Sequence, residues 1–239
     1  PEAEISRRVT EKLRLLGHKC TWNKGEMLFS TSDPDRTAIF VEEGAVKISL
    51  LSISGAEKIV GFAYPGTLVG ETSLILDAAR APQVDLVATA SSKRVVAYHL
   101  PKGPFLDLLR SDAEFAYELA IISSIKIRGL LAQLQLKAFS KSQTLVGKTL
   151  LALLDGLMIE ESTKVLTDVT QEELGHLTAQ TRMTISRALK ALTQAGAIQG
   201  YFGGALATVV VGHAHGDFVE LIEYVEFGDG DVCDAIDTN

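Results

Sequence analysis

The chain of 239 residues is poor in cysteine, with Cys20 and Cys233 alone, has one tryptophan, Trp22, and is 6% aromatic. Two cysteines at opposite ends of a chain, without metal-ligand spacing, argue against a disulfide framework and a cysteine-held iron-sulfur cluster. No run approaches eighteen uninterrupted apolar residues. The best, Leu145 to Ile159, is broken by Gly147, Lys148, Asp155 and Gly156. A membrane-spanning helix is therefore not expected, and that stretch reads as a buried core helix. The start at Pro1 lacks an initiating Met and lacks an apolar segment with a small-residue cleavage site, which predicts a trimmed or processed chain in the cytoplasm. No Gly-rich phosphate loop, nucleophile elbow, metal-binding His pair on a helix or paired-carboxylate motif appears, so no enzyme is expected.

What is present is an ordinary globular composition, 46% apolar and 22% charged, enough to bury a sizeable core in one large domain or two small ones. The net charge of −7 is local: residues 217–239 carry eight acids and no Lys or Arg, leaving 23 basic and 22 acidic residues elsewhere. A role with nucleic acid would thus depend on a local basic stripe, not on the total charge.

The first hundred residues have the texture of an antiparallel β domain. Short β-branched and aromatic runs at Glu26 to Phe29, Thr37 to Val41, Ala45 to Leu51, Lys58 to Tyr64 and Lys93 to His99 are separated by Gly25, Gly44, Gly55, Gly61, Gly66 and Gly70. Ser54 to Ala56 reads as a hairpin turn with Gly55 at positive φ, and Gly44 as another turn. Trp22 is expected at the edge of this domain. At Ser111 the period changes to three and four: Phe115, Leu119, Ile122, Ile125, Ile127, Leu130 and Leu134 predict a helix from about Asp112 to Lys137, capped by Ser111 or Asp112. At about 1.5 Å per residue it would run near 40 Å, with apolar residues on more than one side. A second copy of the chain is the simplest cover, and an intramolecular core position is the alternative.

Farther on, Thr170 followed by Glu173 is a capping box, Thr181 caps a second short helix, and Gly196 ends it. A turn around Thr178 to Gln180 between the two gives a helix-turn-helix, and "IQGYFGGALATVVVG" reads as a two-stranded wing turning at Gly203 and Gly204. In "QTRMTISRALKAL" the residues Ile185, Leu189 and Leu192 share one face, while Arg182, Met183, Ser186, Arg187 and Lys190 share the other. That outward stripe suits the major groove: an Arg fork pairs with guanine O6 and N7, and Thr181 and Ser186 suit phosphate or base edges. A merely solvated helix face is the bland reading.

Taken in order, "KGEMLF", "VEEGAVKI", "PGTLVGETSL", the long helix and "QEELGHLTAQTRMTISRALKAL" resemble the Crp/Fnr family of bacterial regulators over residues 20–212. The resemblance implies an α+β protein: an antiparallel β-roll resembling a cyclic-nucleotide-binding jelly roll (1–110), a dimerisation helix (111–138) and a winged helix-turn-helix (139–212); the acidic tail (213–239) is an addition that the family core lacks. It implies a homodimer on a palindromic operator of double-stranded DNA, half-sites about 34 Å apart, with an effector in the β-roll re-posing two recognition helices. RNA polymerase is a further candidate partner. The DNA-facing set would be Thr170, Gln180, Thr181, Arg182, Met183, Thr184, Ser186, Arg187 and Lys190.

Departures from the family bear on both partners. Met183 stands where the family commonly has a Glu that accepts from cytosine, so the operator should differ from the usual half-site. Ala179 replaces the turn glycine, nothing between Ala191 and Gly212 is basic, and residues 139–212 balance six basic against six acidic residues. Binding should therefore be weak or effector-dependent, and steeply salt-limited. The effector site would draw on Gly70, Glu71, Thr72 and Arg80, with Leu130, Leu131 and Leu134 from the long helix. Gly70 and Glu71 match the family's ribose pair, but Arg80 is followed by Ala81 and Pro82 rather than Ser or Thr, and apolar Leu130 and Leu131 stand where polar residues would meet adenine. Cyclic AMP is thereby disfavoured; the apolar helix face suits a small organic or aromatic acid, and haem on His18 or His99 is an alternative. His213 and His215 are two ligands, too few for a metal site, and His176 reads as structural or as a phosphate neighbour. The segment "GDFVELIEYVEFGDGD" reads as an extra amphipathic helix that would dock on the DNA-binding domain or a partner, with its acids competing with DNA for Arg182 and Arg187. A ligand-sensing module working mainly through protein partners remains the second functional class.

Overall fold

The computed structural model describes residues 6–33, 37–53, 55–76, 84–156, 163–166, 169–196, 198 and 209–212. Arg80, Ser54, Gly203, Gly204, His213, His215 and the acidic tail lie outside the described residues. The chain divides into two compact units, Pro1–Leu131 and Ala132–Asn239.

The first unit opens with α1 (Arg7–Leu16), whose N-cap Ser6 accepts from the Val9 amide. Two four-stranded antiparallel sheets follow. One orders β1 (His18–Asn23), β8 (Arg94–Pro101), β3 (Thr37–Glu43) and β6 (Leu68–Val69); the other orders β2 (Met27–Ser30), β7 (Leu86–Ala90), β4 (Val46–Leu51) and β5 (Glu57–Ala63). Leu28, Phe29, Ile39, Val41, Val46, Val95 and Ala97 form one core cluster, on which Trp22 packs from the edge strand β1. The neighbouring residues Ala38, Phe40 and Leu100 point the other way, into a second cluster with Val9 and Leu13 of α1, Phe105 and Phe115. Both faces of β3 are thus covered, which is why Thr37 to Val41 reads as an unbroken buried run where a half-exposed strand would alternate. Gly44 (φ +81) and Gly55 (φ +79) make the expected turns; a side chain on Gly44 would collide with the Arg94 carbonyl.

After α2 (Glu71–Ile75) and β8, α3 (Lys102–Ser111) and α4 (Ala113–Phe139) are joined at Asp112, whose carboxylate accepts from the Phe115 amide at 3.0 Å and from Lys12 Nζ at 2.6 Å. The ion pair pulls Asp112 below the ordinary carboxylate value and raises Lys12, so α1 is tied electrostatically to the start of the long helix. Phe115, Leu119 and Ile122 of α4 are buried in the β-domain core, with Phe105 and Phe115 in edge contact at 5.6 Å. Beyond Ile122 the helix is largely exposed: Ile127, Leu130, Leu131 and Leu134 are each more than half accessible. By length and composition α4 is long and apolar enough to cross a membrane. That is a statement of length and composition alone: Lys126 and Arg128 interrupt the apolar run, and Phe115, Leu119 and Ile122 of the same helix are seated in the β-domain core.

In the second unit, α5 (Ser142–Gly156) buries Leu145, Val146, Leu150 and Leu153, as expected of a core helix. It packs with α6 (Gln171–Thr178) and α7 (Arg182–Gln194). Of the expected wing, residues 199–208 lie outside the described residues; its last strand, β10 (Val209–Gly212), runs antiparallel to β9 (Thr163–Leu166), a strand lying before the two helices in sequence. The acidic composition around 160 hides β9, whose "TKVL" is too short for a period to show.

Candidate functional sites

The helix-turn-helix is built from local chemistry. Thr170 caps α6 reciprocally with Glu173: the Glu173 amide donates to Thr170 Oγ1 at 3.1 Å, and the Thr170 amide donates to Glu173 Oε2 at 2.8 Å. The Thr170 hydroxyl, expected among the DNA contacts, also lies 3.0 Å from Glu173 Oε2 as its donor, so its hydrogen is engaged in the cap. The turn passes through Ala179 at φ 56, ψ 38, the sole non-glycine at positive φ among the described residues. For an L-residue that left-handed conformation costs about 1–2 kcal/mol. Gly175, four residues earlier, is required for a different reason: a Cβ there would come within 2.9 Å of the Gln180 carbonyl oxygen. Thr181 then caps α7, accepting from the Thr184 amide, and Gly196 closes it at φ +74.

The two faces of α7 separate as the spacing predicts. Ile185, Ala188, Leu189 and Leu192 are buried, while Thr181, Arg182, Met183, Arg187 and Lys190 are exposed and Thr184 and Ser186 half-buried. Met183 is 65% accessible. Gln180 is half-buried, and its Oε1 is buried with no hydrogen-bond partner. His176 lies 4.0 Å from Glu172 on the same helix.

In the first unit, Gly70 takes φ +88 at the cap of α2, where a Cβ would come within 2.9 Å of the Phe29 ring and 3.0 Å of the Thr37 carbonyl. Glu71 follows, 3% exposed, and a carboxylate so buried must be paired. Its partner is Lys126 of α4, whose Nζ donates to Glu71 Oε1 at 2.7 Å and to the Leu68 carbonyl at 2.6 Å. Lys126 was not among the residues the sequence nominated. A signal existed in its spacing, four residues after buried Ile122 on the same helix face, but the buried carboxylate that needs it shows only in three dimensions. Thr72 is exposed, and Leu130 and Leu131 lie about one turn beyond Lys126, facing outward. Leu134 is exposed as well.

His18 and His99 are cross-strand partners on β1 and β8. His18 is exposed; His99 is half-buried, with Nδ1 3.2 Å from Thr37 Oγ1. Burial lowers the His99 imidazole below its ordinary value of 6.5, and repulsion from His18 adds to the effect.

Residues 19–112 match the cyclic nucleotide-binding domain family. Across the helices as well, the chain is 26% identical over 176 residues to the cyclic AMP receptor protein of Thermus thermophilus, covering 74% of this chain and 77% of that protein. Residues 19–112 are thus a cyclic nucleotide-binding domain, and the proteins this chain is similar to are cyclic AMP receptor proteins and Crp/Fnr-family regulators. A second curated relative, the cAMP-activated global transcriptional regulator Vfr of Pseudomonas aeruginosa, is 23% identical over 197 residues, covering 79% of this chain and 88% of that protein. The fold agrees: a CRP/FNR-family regulator, also from Thermus thermophilus, superposes with a TM-score of 0.65 at 21% identity, covering 86% of this chain and 98% of that one. FixK2 from Bradyrhizobium japonicum gives 0.68 at 19% identity, covering 86% and 96%.

Proposed function

We propose that this chain is a Crp/Fnr transcription regulator that binds a palindromic operator as a homodimer in the cytoplasm, reading DNA with α7 and sensing a small molecule other than a cyclic nucleotide. The observation that carries the reading is α7 itself: an apolar face fixed in a core, and a capped N-terminal turn presenting Arg182, Met183, Arg187 and Lys190 outward. Arg182 and Arg187 supply base or phosphate contacts, Thr181, Thr184 and Ser186 the shorter polar ones, and Met183 an apolar contact such as a thymine methyl. Thr170 contributes through the cap that holds α6, and Gln180 brings a buried carbonyl oxygen in need of a donor.

Dimerisation through α4 is supported by the exposed Ile127, Leu130, Leu131 and Leu134, a stripe at three- and four-residue steps that a second copy would cover. The functional divisions would then be a sensor over 1–110, a helix over 111–138 and a DNA-binding part over 139–212, with contact to RNA polymerase as a downstream partner. Against a cyclic nucleotide stands Lys126, which occupies the acceptor a ribose would use. Against haem on His99 stands its bond to Thr37 and its place inside the sheet.

Selection from a random duplex pool at low salt, with and without a small-molecule extract of the source cells, tests the reading. Enrichment of a two-fold palindrome with half-sites about 34 Å apart is expected. No enrichment in either arm overturns it in favour of a module acting through protein partners.

A further inference from the structure

The stripe by which α4 packs on the β domain runs Phe115, Leu119, Ile122 and then Lys126. The first three end in hydrocarbon contacts; the fourth ends in an ammonium that bridges two acceptors on either side of Gly70, the Leu68 carbonyl and the Glu71 carboxylate. Its side chain is 36% exposed and that of Glu71 4%, so Glu71 is enclosed and the lysine reaches it from the rim.

We infer that Lys126 is the built-in occupant of the Glu71 position: it ties the β6–α2 junction to α4 with no ligand bound and takes Oε1 of the carboxylate that a sugar diol would use. The inference rests on the sensor role proposed above and names the residue that decides what the sensor accepts. Three physical points support it. An enclosed carboxylate is matched better by a cation than by neutral hydroxyls, so a diol competing for the same oxygen would have to displace a charge-assisted bond. The junction is closely seated: a Cβ on Gly70 would come within 2.9 Å of the Phe29 ring and 3.0 Å of the Thr37 carbonyl, and the Gly70 carbonyl accepts from Ser73 Oγ at 2.6 Å. The long stem of Lys126 continues the apolar stripe while only its tip is polar, which suits a residue that both packs and tethers. Lys126 is thus a positioning residue, and an effector acts on a junction already tied.

Hydrogen exchange on the full chain tests this, comparing wild type with Lys126→Met, Lys126→Arg and Glu71→Gln. Amides of residues 68–76 are expected to exchange about tenfold faster in Lys126→Met and close to wild type in Lys126→Arg, with peptides from α7 unchanged in every variant. Should Lys126→Met fail to fold, Glu71→Gln serves as the second variant, with about threefold faster exchange expected over the same residues. Millimolar cyclic AMP should leave wild-type exchange at 68–76 unaltered. Exchange in Lys126→Met or Glu71→Gln equal to wild type, or slowed in wild type by cyclic AMP, overturns the inference. The DNA selection is read separately: a chain that selects no duplex refutes the regulator while the exchange data still decide the tether.

Discussion

The β domain and the helix-turn-helix use their polar groups in opposite ways. At the β6–α2 junction the conspicuous carboxylate, Glu71, is enclosed and answered from within the chain by Lys126. On α7 the conspicuous cations and Met183 point outward over a core of Ile185, Leu189 and Leu192. An enclosed group paired within its own chain is a poor docking point for a ligand, whereas side chains presented outward from a rigid helix are within reach of a partner. On the proposed function, the contrast would let a chain keep the fold of its relatives and an outward-facing helix for DNA while departing from their ligand chemistry.

The largest perturbation of that contrast would be to remove the core beneath α7. Leu189 is fully buried, and Leu189→Ala should destabilise the second unit by about 2–5 kcal/mol in chemical denaturation. DNA binding should fall with it, while the β domain keeps its own unfolding transition. Arg187→Ala probes the exposed side without touching the core; specific affinity should drop by about 1–3 kcal/mol with an unchanged melting temperature. An equal loss on specific and random duplexes would mark Arg187 as a phosphate contact. Thr170→Ala removes one half of the capping box, at a cost of about 1 kcal/mol in stability.

Ala179→Gly runs in the stabilising direction. The left-handed conformation at φ 56 costs alanine more than glycine, and the balance after the added chain entropy should be a gain of about 0.5 kcal/mol. A loss on that substitution would contradict the turn geometry. The smallest effect concerns pH. Because burial lowers His99 from 6.5 in the folded chain, the unfolded chain takes up a proton first as pH falls. The stabilisation is fully present above 6.5 and is lost as pH falls from there through the lower folded value. Unfolding of the β domain followed from pH 7.5 to 5.5 should show this decline, and His99→Gln should flatten it.

Much of this was legible in the sequence because the signals are local. The capping box at Thr170, the cap at Thr181, the stop at Gly196 and the spacing of Ile185, Leu189 and Leu192 each depend on residues within one or two turns, and each appears in the structure. The apolar spacing places the long helix to within two residues at either end, since Asp112 caps it as expected. What the sequence hid was non-local or too short to show a period. Strand β9 finds its partner more than forty residues away, β6 is two residues long, and β1 hides in "HKCTWN", whose pattern is half exposed. Lys126 belongs to the same class: a single cation in an apolar helix has no meaning until Glu71 is seen enclosed beside it. Gly175 reads as a helix weak point, though its missing side chain is what lets the Gln180 carbonyl approach.

The most direct test of the central claim is an anisotropy titration of a selected duplex with the full chain, across a salt series, with and without millimolar cyclic AMP. Specific binding that falls steeply with salt and does not respond to cyclic AMP is the predicted result. Binding that is indistinguishable from random duplex until cyclic AMP is added would contradict the account.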